Sequence, residues 1–398
     1  MSTGELRVTA SPAPDADGRL RVWLEADTAR HELQFESKDV QLISNTEALL
    51  AAALPLAMLW QRDLRVEGGV SKCLLEGLHT IQDIFQSWQP LLSRIEIGGA
   101  RRVIREAASS GGVGLFFRAT ADDLYSLLKH QVDITHLIFA RRLRSGQADV
   151  PTAGRISALV RSTADRLGMH AIEVATDLRR LLAGQGFNWR ELASAAFNAS
   201  VAHLLYPGLQ RVYVADRDSY AVLEPRAEHP LLQPLWGTEG LEFITDGGEA
   251  TYGEKLTHLT EEDWPLRYLY CCNRRPTAAL NCGQCERCIL TMLGLLAIDA
   301  LDRCPTFGAP LEARAISRLR FSSRRAFTSA AENLAALRAG KPPRELVGAL
   351  QYAIDRSKQR VLIGALLRDA WPAGYAMMRR LGRRTTARYR GRLRAVPA

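Results

Sequence analysis

The stretch Cys282-Gly-Gln-Cys285-Glu-Arg-Cys288 constrains this chain more than any other, because its three thiols, together with Cys271 and Cys272 upstream, must converge if they act as one set. Four such thiolates surround one tetrahedral ion, which suits zinc or an iron–sulfur cluster. Six of the seven cysteines fall between positions 271 and 304, a clustering that ordinary buried thiols do not require. Cys73 stands apart and reads as a core thiol, and Cys304 reads the same way. The opening Met1-Ser-Thr-Gly-Glu-Leu-Arg7 lacks the basic and apolar regions of a secretion signal, so the clustering points to metal rather than disulfides and to a cytoplasmic setting. The longest apolar run, Ala48 to Trp60, is interrupted by Pro55 and is too short to span a bilayer.

Hydrophobic patterning divides the rest. Residues 5–10, 19–27 and 31–36 alternate apolar and polar and predict a small antiparallel sheet. Asn45-Thr46 caps a helix from Glu47, with a kink or late start at Pro55. A strand at Leu64, a helix from Ser71 towards Trp88 and a strand over Ser93–Ile97 complete an N-terminal αβ unit, residues 1–105. From about residue 111 strands and helices alternate: strands at 113–117, 134–140, 170–175 and 211–215, and helices at 121–130, 156–167 and 189–205. Short buried strands in this rhythm predict a doubly wound parallel sheet over residues 106–310, whose ligand would sit beyond the carboxyl ends of its strands. Residues 311–398 show only helical periodicity, with helices expected at 313–323, 329–339 and 344–367.

The net charge of +9 is concentrated at the end. Beyond Trp371 come eight arginines (Arg379, Arg380, Arg383, Arg384, Arg388, Arg390, Arg392 and Arg394) and no acid. Such a tail can touch nucleic acid, an anionic membrane or an acidic partner non-specifically, or can simply be solvated. No RNA- or DNA-binding module accompanies it, so nucleic acid is not an expected specific partner.

With the strand Gly114-Leu-Phe-Phe117, the helix Leu124-Tyr-Ser-Leu-Leu-Lys-His130 and the cysteine loop in hand, the chain resembles the PP-loop ATP-pyrophosphatase (adenine-nucleotide α-hydrolase-like) superfamily. It looks closest to the 7-cyano-7-deazaguanine synthase-like branch, over roughly residues 20–310. Further supporting stretches are Ala175-Thr-Asp-Leu-Arg179, Glu228-His-Pro-Leu-Leu-Gln-Pro-Leu-Trp236, Asp246-Gly-Gly-Glu249 and Glu254-Lys255. The resemblance implies a PP-loop/HUP-like fold and a structural zinc held by Cys272, Cys282, Cys285 and Cys288, Cys272 fitting the family spacing better than Cys271. It also implies a small-molecule or peptide substrate and adenylation chemistry with ATP and magnesium.

The phosphate loop departs from the family pattern. Where Ser-Gly-Gly-x-Asp-Ser is expected between the first strand and helix, this chain has Arg118-Ala-Thr-Ala-Asp-Asp123. Both glycines are lost, and Asp123 places a carboxylate where an anion should bind. Ser110-Gly-Gly-Val113 spells the start of the motif but precedes the strand, and so reads as the turn into it. Arg141-Arg142-Leu143-Arg144 stands where a Gly-Phe-Asp-like turn is expected, and Tyr252 stands where an arginine would precede Glu254-Lys255.

Candidate ligand-side residues are therefore Arg118, Asp122, Asp123, Arg142, Arg179, His229, Glu249 and Lys255. The arginines can gather an anion or be solvated. Asp122 can contact nucleotide or magnesium or serve as a first-turn acid, His229 can reach substrate or form a turn, and Glu249 and Lys255 can line a substrate or pair at the surface. Two functions follow as expectations. One is a catalytically degenerate binding or partner subunit, beside an intact PP-loop paralogue or another biosynthetic protein. The other is an active ATP-dependent adenylating ligase.

Overall fold

The computed structural model describes residues 4–106, 111–143, 150–182, 189–272, 274, 279–321 and 323–370. The arginine-rich tail, Arg144 and Ser110 lie outside them.

The first strands, β1 (Glu5–Ala10), β2 (Arg19–Ala26) and β3 (Ala29–Glu36), pair antiparallel as their alternation predicts, with Leu6, Val8, Leu20, Val22 and Leu24 turned inward. Helix α1 (Thr46–Trp60) begins at Asn45, whose side chain accepts from the Ala48 amide. It starts at Thr46 and continues as helix through Pro55, so the late start expected there does not occur. An interior proline costs about 3 kcal/mol, yet each large apolar side chain buried contributes about 1.5–3 kcal/mol, and α1 is buried on all sides from Ala48 to Leu59. Packing wins.

Next come β4 (Asp63–Ser71), α2 (Lys72–Trp88), capped by Ser71, and β5 (Ile97–Val103). The last strand starts four residues later than expected: the amides of Ile95 and Glu96 are taken by the side chains of Gln82 and Asp63, not by a neighbouring strand. Cys73, expected in the core, is exposed in the first turn of α2.

The second half follows the predicted alternation. Strand β6 (Gly112–Phe116) leads through α3 (Ala121–Lys129) to β7 (His136–Arg142), then through α4 (Val150–Leu167) to β8 (His170–Thr176). Short helices α5 (Leu178–Leu182) and α6 (Trp189–Leu192) precede α7 (Ser194–Leu204), so the single helix expected over 189–205 is broken at Ala193, whose ψ of −4° leaves the helical range. Then β9 (Leu209–Ala215) and the edge strand β10 (Glu242–Asp246) complete the sheet.

All ten strands form one sheet, in the order β10-β9-β6-β7-β8-β3-β2-β1-β4-β5. The parallel half joins the N-terminal strands through two antiparallel residue pairs, Phe35 with Thr176 and Glu36 with Ala175. Helices α3 and α4 cover Leu115, Phe117, Leu137 and Phe139 on one face. On the other face Phe116, Ile138, Val212 and Val214 share a core with α7, which packs in turn on α1, so the parallel half is wound on both faces.

The chain continues through α8 (Tyr252–His258), α9 (Pro265–Tyr268) and α10 (Glu286–Ala297). Helix α11 (Ala313–Ser317) is shorter than expected, and α12 (Arg324–Ala339) and α13 (Arg344–Ala370) pack with α10 around Leu293, Phe321 and Leu350. No helix among the described residues is long and apolar enough to cross a membrane.

Candidate functional site

The chain moves from β6 to β7 to β8 in one direction, then returns across β6 to lay down β9 and β10 on the far side. The direction of winding therefore reverses between β6 and β9, and in open sheets of this kind the loops after two such strands part to form a crevice. Those loops are Phe117–Thr120 and Asp216–Ser219.

The first loop is closed on itself. Ala119 takes a φ of 58°, a left-handed turn that glycine would adopt without strain. Thr120 caps α3, and Asp123 completes a reciprocal capping box. The same Asp123 carboxylate oxygen accepts from the Arg118 amide at 2.9 Å and the Thr120 amide at 3.1 Å. Backbone donors that could hold an external anion are thus taken by a side chain of the loop itself. Burial pushes the Asp123 carboxyl up, against the opposing pull of Arg118 and these amides.

The second loop alternates charge as Asp216-Arg217-Asp218. Arg226 engages both aspartates, and the Nε of Arg325 lies 3.2 Å from Asp218. Lys255, only 1% exposed, donates to the Asp216 carbonyl at 2.6 Å and reaches Asp122 at 3.2 Å. Burial alone would raise the Asp122 carboxyl, but Lys255, Arg325 and Arg217 outweigh it and hold the group below the usual carboxylate range.

Two cavities open from this crevice. One, of about 470 Å³, lies over the ends of β6, β7 and β9; Arg118, Asp123, Arg142, Arg179, Arg217 and Glu228 provide much of its charge. The other, of about 440 Å³, lies between the start of α3 and the N-terminal ends of α10 and α12; Arg190, Arg217, Arg287 and Arg325 line it with Asp122 and Glu286.

Behind the second cavity sit the cysteines. The Sγ atoms of Cys272, Cys282, Cys285 and Cys288 lie within 4.8 Å of one another, and all four residues are buried. A tetrahedral ion with metal–sulfur bonds of about 2.3 Å requires sulfur–sulfur edges of about 3.8 Å. The Cys282–Cys288 and Cys285–Cys288 edges are 3.8 and 3.4 Å, so the set can hold one metal ion. The amides of Gln284 and Cys285 turn towards the Cys282 sulfur, as they do around a bound thiolate. Asn281 ties the two arms together: its Oδ1 accepts from the amides of Cys271 and Cys272, and its Nδ2 donates to the Leu269 carbonyl and the Thr306 hydroxyl. Cys304 is buried away from the set, bonding to the Leu266 carbonyl and Thr306.

Of the residues singled out in the sequence, Arg118, Asp123, Arg142 and Arg179 come together at the first cavity, with Arg179 also lying over the Trp189 ring. Asp122 lines the second, with Lys255 bonded behind it. His229 and Glu249 line neither. His229 accepts from the Leu231 amide and packs edge-on against Trp88, forming a turn. Glu249 bonds to Lys129 and Tyr125 beside a separate network in which Asp246 receives Ser126, Lys129 and His130.

The sequence reading missed Arg190, Arg217, Arg226, Arg287 and Arg325. Asp216-Arg217-Asp218 was detectable as a charged triplet directly after a predicted strand. Arg325 had no such signal, since only the packing of α12 on α10 brings it to the crevice. Compared with protein-family models, curated proteins and solved structures, the chain has no match.

Proposed function

We propose that this chain is a PP-loop/HUP-type α/β protein that has lost ATP α–β cleavage and acts as a zinc-containing binding or partner subunit. It would work beside an intact PP-loop paralogue or another biosynthetic protein, in the modification of a small molecule or peptide. The observation that carries this reading is the Asp123 carboxylate on the amides of Arg118 and Thr120. A triphosphate entering the loop would have to displace a side chain of its own charge sign, and the amides are already satisfied. The reversal of strand order at β6 and β9 supports the fold assignment, because it puts the altered loop where such folds bind their ligands. Four thiolates leave no open coordination position for a reacting water, so zinc in this loop is structural. It would clip the segment before α10 to the segment after α9.

The arginines at both cavities favour a second reading, an adenylating ligase resembling 7-cyano-7-deazaguanine synthase in which guanidinium groups replace the glycine cradle. Release of pyrophosphate from ATP and magnesium, measured on the full chain alone and with a candidate PP-loop paralogue, separates the two. The first reading expects none from this chain's own site, and the second expects release that depends on Asp122.

A further inference from the structure

Arg190, Arg217, Arg287 and Arg325 reach the second cavity from four segments far apart in sequence: α6, the loop after β9, the first turn of α10 and the first turn of α12. Two carboxylates face them, and both are limited in what they can neutralise. Asp122 is shared between Lys255 at 3.2 Å and Arg325 at 3.7 Å, and Glu286 is a single group at the metal-loop side. Asp216 and Asp218 flank Arg217 in sequence, but both turn to Arg226, and Asp218 also pairs with the Nε of Arg325 at 3.2 Å, so neither is left for Arg217 or Arg287. Among the described residues, no ion pair or side-chain hydrogen bond engages the guanidinium of Arg217 or of Arg287.

Cations brought together without matching carboxylates repel one another, the more so when partly withdrawn from water. Arg217 feels this directly: burial, followed by Arg325, Arg287 and Arg190, pushes its guanidinium down from the ordinary value. Solvated surface arginines would spread apart. These converge on one concave space, lined also by Thr120, Thr291, Ser323 and Ser329. Planar forked donors on several walls, with hydroxyls between them, suit a compact multivalent anion with tetrahedral oxygens. A cavity of about 440 Å³ admits a small molecule but not a nucleic-acid duplex.

We infer that this cavity binds an oligophosphate, either a diphosphate or a small molecule carrying one, through Arg217, Arg287 and Arg325 with Arg190 at the rim. The site does not use the loop amides that Asp123 occupies. It therefore stands independently of the PP-loop reading, and absence of ATP cleavage leaves it intact.

The test is calorimetric titration of the full-length protein with inorganic pyrophosphate, orthophosphate and ADP, accompanied by thermal melting. Pyrophosphate is expected to bind with a Kd below about 100 µM, and orthophosphate at least roughly tenfold more weakly. Arg217→Gln and Arg325→Gln should each weaken pyrophosphate at least roughly tenfold, whereas Arg180→Gln, on the exposed surface, should not. Without ligand, Arg217→Gln should melt no lower than the wild type, because the change removes an unpaired like charge. ADP binding tighter than pyrophosphate assigns the diphosphate to a nucleotide, and the reverse assigns it to the free anion; both support the site. No pyrophosphate binding at millimolar concentration overturns the inference. So does equal weakening by Arg180→Gln, or an Arg217→Gln variant that melts lower with its affinity unchanged.

Discussion

The carboxylate of Asp123 lies 2.9 Å from the backbone amide of Arg118, five residues earlier, at the turn that joins β6 to α3. With its second bond to the Thr120 amide, this contact turns a potential anion cradle into a self-satisfied helix cap. Rebuilding the loop as Ser-Gly-Gly-Ala-Asp-Ser, by Arg118→Ser, Ala119→Gly, Thr120→Gly and Asp123→Ser, should free the amides and relieve the left-handed strain at Ala119. Calorimetry should then show magnesium–ATP binding at least roughly tenfold tighter than in the wild type. Asp123→Ala alone, which loses the cap, should cost about 1–2 kcal/mol in urea unfolding.

The metal loop predicts a sharp difference between adjacent cysteines. Purified protein should contain about one zinc per chain, and Cys285→Ser should lose it along with cooperative melting of the segment around α10. Cys271→Ser should keep the zinc, since the cluster is completed by Cys272. Equal metal loss from Cys271→Ser and Cys272→Ser would show that the ligand set is drawn wrongly.

Lys255 is the most buried cation of the crevice and holds both the Asp122 carboxylate and the Asp216 carbonyl. Removing one member of a buried pair typically costs about 3–5 kcal/mol, because the remaining charge is left without compensation. Arg325, 3.7 Å from Asp122, places Lys255→Met at the lower end of that range. Urea denaturation checks this, and a loss under about 1 kcal/mol would mean that water, not Lys255, screens Asp122.

How much of this was legible in advance follows from the range of each interaction. The strands and helices from β6 to β9 were readable because their apolar runs are local. The seam between β3 and β8 was not, since two backbone residue pairs leave no periodic trace. Pro55 misled because propensity speaks of an isolated helix, whereas α1 is enclosed by the core. At the site, the cysteines and Asp123 were visible through spacing and charge. Lys255, the nearest partner of Asp122, lay in a stretch the sequence singled out, but the other partners of Asp122 and Asp218 were hidden: Arg226 arrives on an irregular loop, and Arg325 from a helix more than a hundred residues away in sequence, so neither has a local pattern.

Buried His203 provides a handle on pH. Its Nε2 lies 2.9 Å from the Trp236 carbonyl. Burial, partly offset by Glu47 and that carbonyl, pushes its pKa down to about 4. A histidine more acidic in the fold than in the unfolded chain favours folding while it is neutral. That contribution is complete above the unfolded value near 6.5 and is lost as pH falls towards 4. Stability in urea should drop by about 2 kcal/mol between pH 7 and pH 5 from this group, and His203→Gln should flatten that part of the profile. An unchanged slope in the variant would place the pH dependence elsewhere.

The most direct test of the central claim is pyrophosphate release by the wild-type chain from ATP and magnesium. With Asp123 on the loop amides, no release above the buffer blank is expected at any ATP concentration up to several millimolar. Steady release that is abolished by Asp122→Asn would contradict the account and establish the chain as an active adenylating enzyme.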